Sequence, residues 1–321
     1  MAPGILWARM NRPPPHLYFL VSAVFHYLGP AFAVLLFARV DVLGVAWLRI
    51  ASAALIFALW RRPWRAFAAQ DREGRRLLLA WGAVLALMNA CFYTAIDRLA
   101  LGTVAAIEFL PVIALAALGA RSPRNLAALA LAVPGVYLLT DVQFAAQPLG
   151  LAFAFANAGL FALYIVLADR VAKRDAIGGI DGLAASMLIA AVVVTPIGGW
   201  QVIGVAADPV ALLAGIGVGV ASSVIPYVCD QLALARLRRA TYALLVSLLP
   251  ATATVIGIVV LAQIPTPAET AGLVLVVAGV ALHREPRGPA TAGAPPMERA
   301  APPAAIPTPA SPTIPAAASR S

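Results

Sequence analysis

Ten apolar segments, most about 20 residues long, follow one another through this chain: 17–38, 42–60, 77–96, 99–118, 125–140, 148–168, 181–200, 210–229, 240–262 and 268–283. A run of ~20 apolar residues spans the hydrocarbon core of a bilayer as a helix. In lipid a helix satisfies its own backbone N–H and C=O groups, so the segments predict an all-α integral membrane protein with ten transmembrane helices. Pro30, Pro111, Pro134, Pro196, Pro226 and Pro250 fall inside segments, where they kink a helix rather than end it.

The composition excludes a water-soluble globule. Hydrophobic residues make up 62% of the chain and charged residues 12%, with a mean hydropathy of +0.90; soluble domains average about 45–50% and about 25%. The net charge is +9, but the cations cluster between apolar runs, which argues against nucleic acid. The first segment exceeds the roughly 7–15 apolar residues of a signal peptide and reads as the first helix. Cys91 and Cys229 both lie within apolar segments and form no disulfide framework. Three histidines without a Cys/His cluster offer no metal site, and no cofactor is expected.

If the N-terminus lies in the cytoplasm and sides alternate, 20 of the 23 Lys and Arg residues fall on the cytoplasmic side. Only Arg39 and Arg98 fall outside, and Arg49 lies within a segment. The positive-inside rule is thereby met, and both termini are expected in the cytoplasm of a bacterial-type inner membrane. Residues 1–16 form a cytoplasmic lead. Residues 285–321, with ten prolines among 37 residues, read as a disordered cytoplasmic tail.

The halves echo one another. Cys91, Arg98, Leu99, Thr103 and Ala105 recur as Cys229, Arg236, Leu237, Thr241 and Ala243 at an offset of 138, and Pro111 recurs as Pro250 at 139. Five helices per half is an odd number, so the second repeat (148–283) is inverted relative to the first (17–140). Inverted repeats are a recurrent plan for secondary transporters.

Ionisable groups within a bilayer cost ~2.5–3.5 kcal/mol on insertion scales and call for a reason. Glu108 lies about nine residues into the fourth segment, roughly 14 Å along its axis. A low dielectric favours the neutral acid, which suits proton exchange or contact with a solute amine. The structural alternative is pairing with Arg49 or a hydrogen bond to a neighbouring helix. Arg49, near the outer third of its segment, weighs toward an anchor that snorkels. His26 is equally suited to a solute or proton contact and to plain packing. Asn89 and Tyr93 on the third helix, Asn157 and Tyr164 on the sixth, Tyr227 on the eighth and Ser247 on the ninth complete the candidate set. These place a cavity among helices one, three, four, six, eight and nine, with five and ten facing lipid or a second copy, as in a homodimer. The glycines at 215 and 219 read as helix packing.

Two stretches carry a family resemblance: FYTAIDRLALGTVAAIEFLP (92–111) and SSVIPYVCDQLALARLRRATYALLVSLLP (222–250). They resemble the drug/metabolite transporter superfamily of the EamA type, most of all its threonine/homoserine exporter branch, with the likeness covering roughly 17–283. The resemblance implies a ten-helix, two-repeat secondary transporter exporting a small metabolite such as threonine or homoserine, coupled to protons. It puts Glu108 on the acidic position of a Glu-Phe motif, Pro226 and Tyr227 on a Pro-Tyr pair and Asp230 on a following acid. Leu110 stands where the family often has Gly, and Leu249-Pro250 where it often has Glu-Pro. The rival functions are transport of another solute or drug, a lipid-acting membrane enzyme, and a non-transporting scaffold. The enzyme reading lacks an HExxH, paired carboxylates or a nucleophile–His arrangement. The scaffold reading gives no reason for a midplane Glu.

Overall fold

A computed structural model describes residues 14–119, 122–172, 174, 179–205, 207–234 and 245–282. The expected tail 285–321, most of the N-terminal lead, and the Arg236–Arg239 cluster with Thr241 and Ala243 lie outside the described residues. The chain divides into Met1–Glu285 and Pro286–Ser321, and everything described belongs to the first unit.

Every described element is helical: α1 Pro15–Leu36, α2 Val42–Arg61, α3 Pro63–Ala68, α4 Arg72–Ile96, α5 Leu101–Gly119, α6 Pro123–Ala146, α7 Pro148–Ala172, α8 Gly179–Gly198, a 3-10 stretch Gly199–Val205, α9 Pro209–Gly219, a π turn Val220–Val224, α10 Ile225–Leu234, α11 Leu249–Leu261 and α12 Pro267–Leu282. Each of the ten apolar segments carries helix, the eighth as α9, the π turn and α10 in succession. Residues 240–244 of the ninth lie outside the described residues. Six described helical stretches are long and apolar enough to cross a membrane: His16–Leu36, Val42–Arg61, Arg72–Ile96, Pro148–Val171, Ile180–Val205 and Pro209–Asp230. Leu101–Pro111, Leu249–Leu261 and Pro267–Leu282 are shorter apolar helices.

Local chemistry sets the helix ends. Six of these helices begin on a proline, whose fixed φ suits the first turn and whose missing N–H costs nothing there. Asp71 caps α4 by accepting from Gly74 N at 2.7 Å, and Asp208 caps α9 by accepting from Val210 N and Ala211 N at 3.0 Å. Thr266 and Glu269 form a reciprocal capping box at the start of α12, with Thr266 N donating to Glu269 at 2.8 Å and Glu269 N to Thr266 Oγ1 at 3.2 Å. The short α3, between the second and third apolar segments, starts after Arg62, held left-handed at φ 50°.

The backbone amides at the Asp208 cap, with Arg39 at 3.4 Å, hold its carboxyl below the usual carboxylate range. A folded-state pKa below the unfolded one stabilises above the ordinary carboxylate pKa, and that contribution fades as pH falls through the folded value. Asp208→Ala is therefore expected to lower the melting temperature in detergent near neutral pH. In strong acid the difference from the native protein should vanish.

Contacts among the connections follow one rule. Arg61 donates to Asp181 at 2.7 Å, Arg174 to Asp71 at 2.8 Å, and Arg124 to Leu282 O at 2.6 Å. All of these lie at ends that strict up–down alternation puts on one side. Arg39–Asp208 at 3.4 Å and Leu101 N to Gln263 Oε1 at 3.0 Å join ends on the other.

Packing relies on small residues, as expected where lipid tails compete equally well for large apolar side chains. A Cβ on Gly215 would lie 2.5 Å from Leu48 Cδ1, and one on Gly219 2.7 Å from Arg49 O, so α9 lies flush on α2. The fifth and tenth helices, α6 and α12, pack on one another and keep Leu126, Val133, Tyr137 and Val274 exposed on their outer sides. A Cβ on Gly135 would lie 2.8 Å from Gly272 O, and one on Gly279 2.8 Å from Ala128 O.

The buried side chains form two main clusters, and three helices pass from one to the other. α2 changes between Leu48 and Ile50, α4 between Ala86 and Phe92, and α7 between Ala158 and Leu160. Arg49, Asn89 and Asn157 stand at or beside those changes.

Candidate solute site

A cavity of about 70 Å³ opens at this boundary, lined by His26, Tyr27, Pro30, Arg49, Met88, Asn89, Phe92, Glu108, Asn157, Phe161, Tyr164 and Tyr227. One water needs ~10–15 Å³ on this measure, so the space takes a small polar group with room to spare. Six of the eight residues singled out from sequence meet there: His26, Asn89, Glu108, Asn157, Tyr164 and Tyr227.

Glu108 on α5 is 9% exposed and accepts a hydrogen bond from Asn157 Nδ2 of α7 at 3.1 Å. Asn157 is fully buried, and its Oδ1 has no hydrogen-bond partner. Asn89 Nδ2 donates to Leu85 O of its own helix at 2.8 Å. An aromatic wall closes one flank: Phe161 stacks on Tyr164 at 6.3 Å and meets Phe109 edge-on at 6.2 Å, while Trp81 lies 5.6 Å from Tyr164. Replacing Asn157 with Leu should leave Glu108 unsatisfied, which costs about 1–3 kcal/mol. The effect is expected as a lower melting temperature of the purified variant.

Arg49 lines the cavity as well, a placement the sequence reading did not give it. Only 7% exposed, it donates from Nε to Ser223 Oγ at 3.2 Å and from Nη2 to Ser222 O at 3.3 Å. Its Cζ sits 5.5 Å from the centre of the Tyr93 ring. The bond to Ser222 O has a cause in sequence. Pro226 has no N–H to give to the carbonyl four residues back, and the guanidinium takes that place. The π turn just before Pro226 widens the helix there. Pro226 O in turn accepts from Ser22 Oγ of α1 at 3.2 Å. Among the described residues Glu108 and Arg49 form no ion pair, although they face the same space.

Two candidates lie apart from the lining. Tyr93 is fully buried behind Arg49, its hydroxyl without a hydrogen-bond partner. Ser247 is 3% exposed in the turn before α11, between Val246 and Leu249, which pack on the Phe19–Ala23–Ala233 cluster. The second helix therefore takes the place at the cavity that the sequence reading gave to the ninth.

Two larger cavities have other chemistry. One of about 310 Å³ lies between α5, α6, α11 and α12, and its carboxylate, Glu269, belongs to the capping box. One of about 380 Å³ is walled by apolar side chains, from Pro63 and Trp64 to Val193. Neither brings opposite charges and amides together.

Residues 148–284 match the EamA-like transporter family. The chain is 31% identical over 285 residues to the threonine/homoserine exporter RhtA of Salmonella typhimurium strain LT2, covering 85% of this chain and 94% of that one. It is 32% identical over 268 residues to the threonine/homoserine exporter RhtA of Escherichia coli strain K12, covering 82% and 89%.

Proposed function

The chain belongs to the EamA-like transporter family, and from that premise we propose that it exports a small amino acid of the threonine or homoserine kind across the inner membrane in exchange for protons. It is a membrane transporter of small metabolites. The observation that carries the finer reading is the cavity itself: a carboxylate, an arginine, two amides, an imidazole and three phenols from six apolar helices surround one space. Glu108 takes up a proton or grips the solute ammonium. His26, Asn89, Asn157, Tyr164 and Tyr227 supply hydrogen bonds. Tyr93 supports Arg49 from behind, and Ser247 is assigned no contact with the solute.

The transport cycle rests on ten crossings in two inverted repeats, 17–140 and 148–283. Helix packing supports that reading, because it survives exchange of the halves. α4 on α7 corresponds to α9–α10 on α1, α4 on α8 to α9 on α2, and α5 on α7 to α11 on α1. α2 on α8, α5 on α11 and α6 on α12 map onto themselves. Asn89 and Tyr227, 138 residues apart like the two cysteines, both line the cavity. The contacts among connections suit alternating crossings, with both termini cytoplasmic in this proposal. Rocking of one half against the other would then open the cavity to each side in turn.

Cells overexpressing the chain should release threonine or homoserine faster than control cells when a panel of amino acids is loaded. An uncoupler should abolish the difference. Release of other solutes only would defeat the amino-acid reading, and release indifferent to the uncoupler would defeat proton coupling.

A further inference from the structure

We infer that Arg49 is the receptor for the solute's carboxylate, so that the site selects a zwitterion and rejects its neutralised-acid analogues. This rests on the amino-acid reading above and adds a residue and a selection rule to it. Arg49 is a buried cation within an apolar bundle, and among the described residues its hydrogen-bond and ring contacts are all neutral: a serine hydroxyl, a backbone carbonyl and the face of Tyr93. A guanidinium carries five N–H donors in a rigid fork that matches a carboxylate bidentately. The two bonds to the π turn use Nε and Nη2 and fix the plane of that fork, while the side chain lines the cavity.

Among the described residues, the one acidic side chain lining the same cavity, Glu108, comes from a different helix and is held by Asn157 instead of by Arg49. The chain thus keeps a cation and an acid apart around one small polar space. A buried charge without a counter-charge is costly, so such a separation needs an occupant bearing both signs. An α-amino acid fits: its carboxylate meets Arg49 and its ammonium meets Glu108. The fit also gives Pro226 a part far from α2 in sequence. It has no N–H to give Ser222 O, and the bond from Arg49 to that carbonyl holds the guanidinium toward the cavity rather than toward the membrane surface.

The test compares threonine with threoninamide, which keeps the ammonium and hydroxyl and lacks the carboxylate. Their affinities for the purified native protein, Arg49→Gln and Arg49→Lys are measured by titration calorimetry in detergent. The native protein is expected to prefer threonine by roughly 30-fold or more, the scale for losing one partner of a buried charge pair. Arg49→Gln should weaken threonine, improve threoninamide by removing a like charge, and bring the ratio near one. Arg49→Lys should keep part of the preference, since it retains charge without the fork. A merely structural arginine would weaken both compounds together. An unchanged ratio in Arg49→Gln, or in Arg49→Lys if the glutamine variant does not fold, overturns the assignment, as does a native protein that binds both compounds equally. A native protein that binds neither overturns the amino-acid reading and this inference with it.

Discussion

Glu108→Gln is expected to reach the membrane in normal amount, to keep its melting temperature within a few degrees, and to lose at least about tenfold in amino-acid export. The substitution keeps the size of the side chain and a carbonyl oxygen to accept from Asn157, now at 3.1 Å from Glu108 Oε1. It removes the charge, and with it both candidate tasks, proton carriage and the grip on an ammonium. Deleting one partner of a buried, hydrogen-bonded charge pair costs about 2–5 kcal/mol, and ~1.4 kcal/mol is already tenfold. Export from cells with matched membrane abundance checks it. Normal export would confine Glu108 to packing.

Gly29→Ala is expected to destabilise the protein by about 1–3 kcal/mol, the range for overpacking a tight contact. A Cβ there would strike Ser222 Oγ and lie 2.8 Å from Ser222 N and 3.0 Å from its Cα. The neighbour that must give way is backbone, in the π turn that also carries Ser222 O and Ser223 Oγ to Arg49. A serine rotamer change therefore does not relieve it. The same approach brings α1 close enough for Ser22 to bond Pro226 O. A lower melting temperature of the purified variant checks the claim. Gly217→Ala is the control, because nothing among the described residues lies within 4 Å of a Cβ at that position.

Much of the bundle was legible in sequence because the bilayer leaves a chain so few choices. Where the apolar runs lie, helices lie. Glu108, Asn89 and Asn157 were legible for the same reason: a polar side chain in an apolar run either meets a partner or lines a space. Arg49 was harder. Counting along its helix put it near the surface, where a long side chain snorkels. What draws it inward is a carbonyl 173 residues away, to which Pro226 has no N–H to give. The proline was visible in sequence, and its partner was not, because no local pattern says which helix packs against it. Ser247 failed in the converse way. It is as polar as its counterparts, but its turn faces the Phe19 layer, and a lone hydroxyl carries no mark of its direction. The short α3 was hidden inside a basic connection, where six residues give too little periodicity to read.

The central claim is that a solute occupies the space beside Glu108. A hydrophobic carbodiimide tests it most directly, since it modifies buried carboxyls in membrane proteins and the product is mapped by mass spectrometry. Purified protein should be labelled at Glu108, and saturating threonine or homoserine should suppress that labelling while leaving exposed carboxylates such as Glu73 unchanged. Labelling at Glu108 to the same extent with and without either amino acid would contradict the claim.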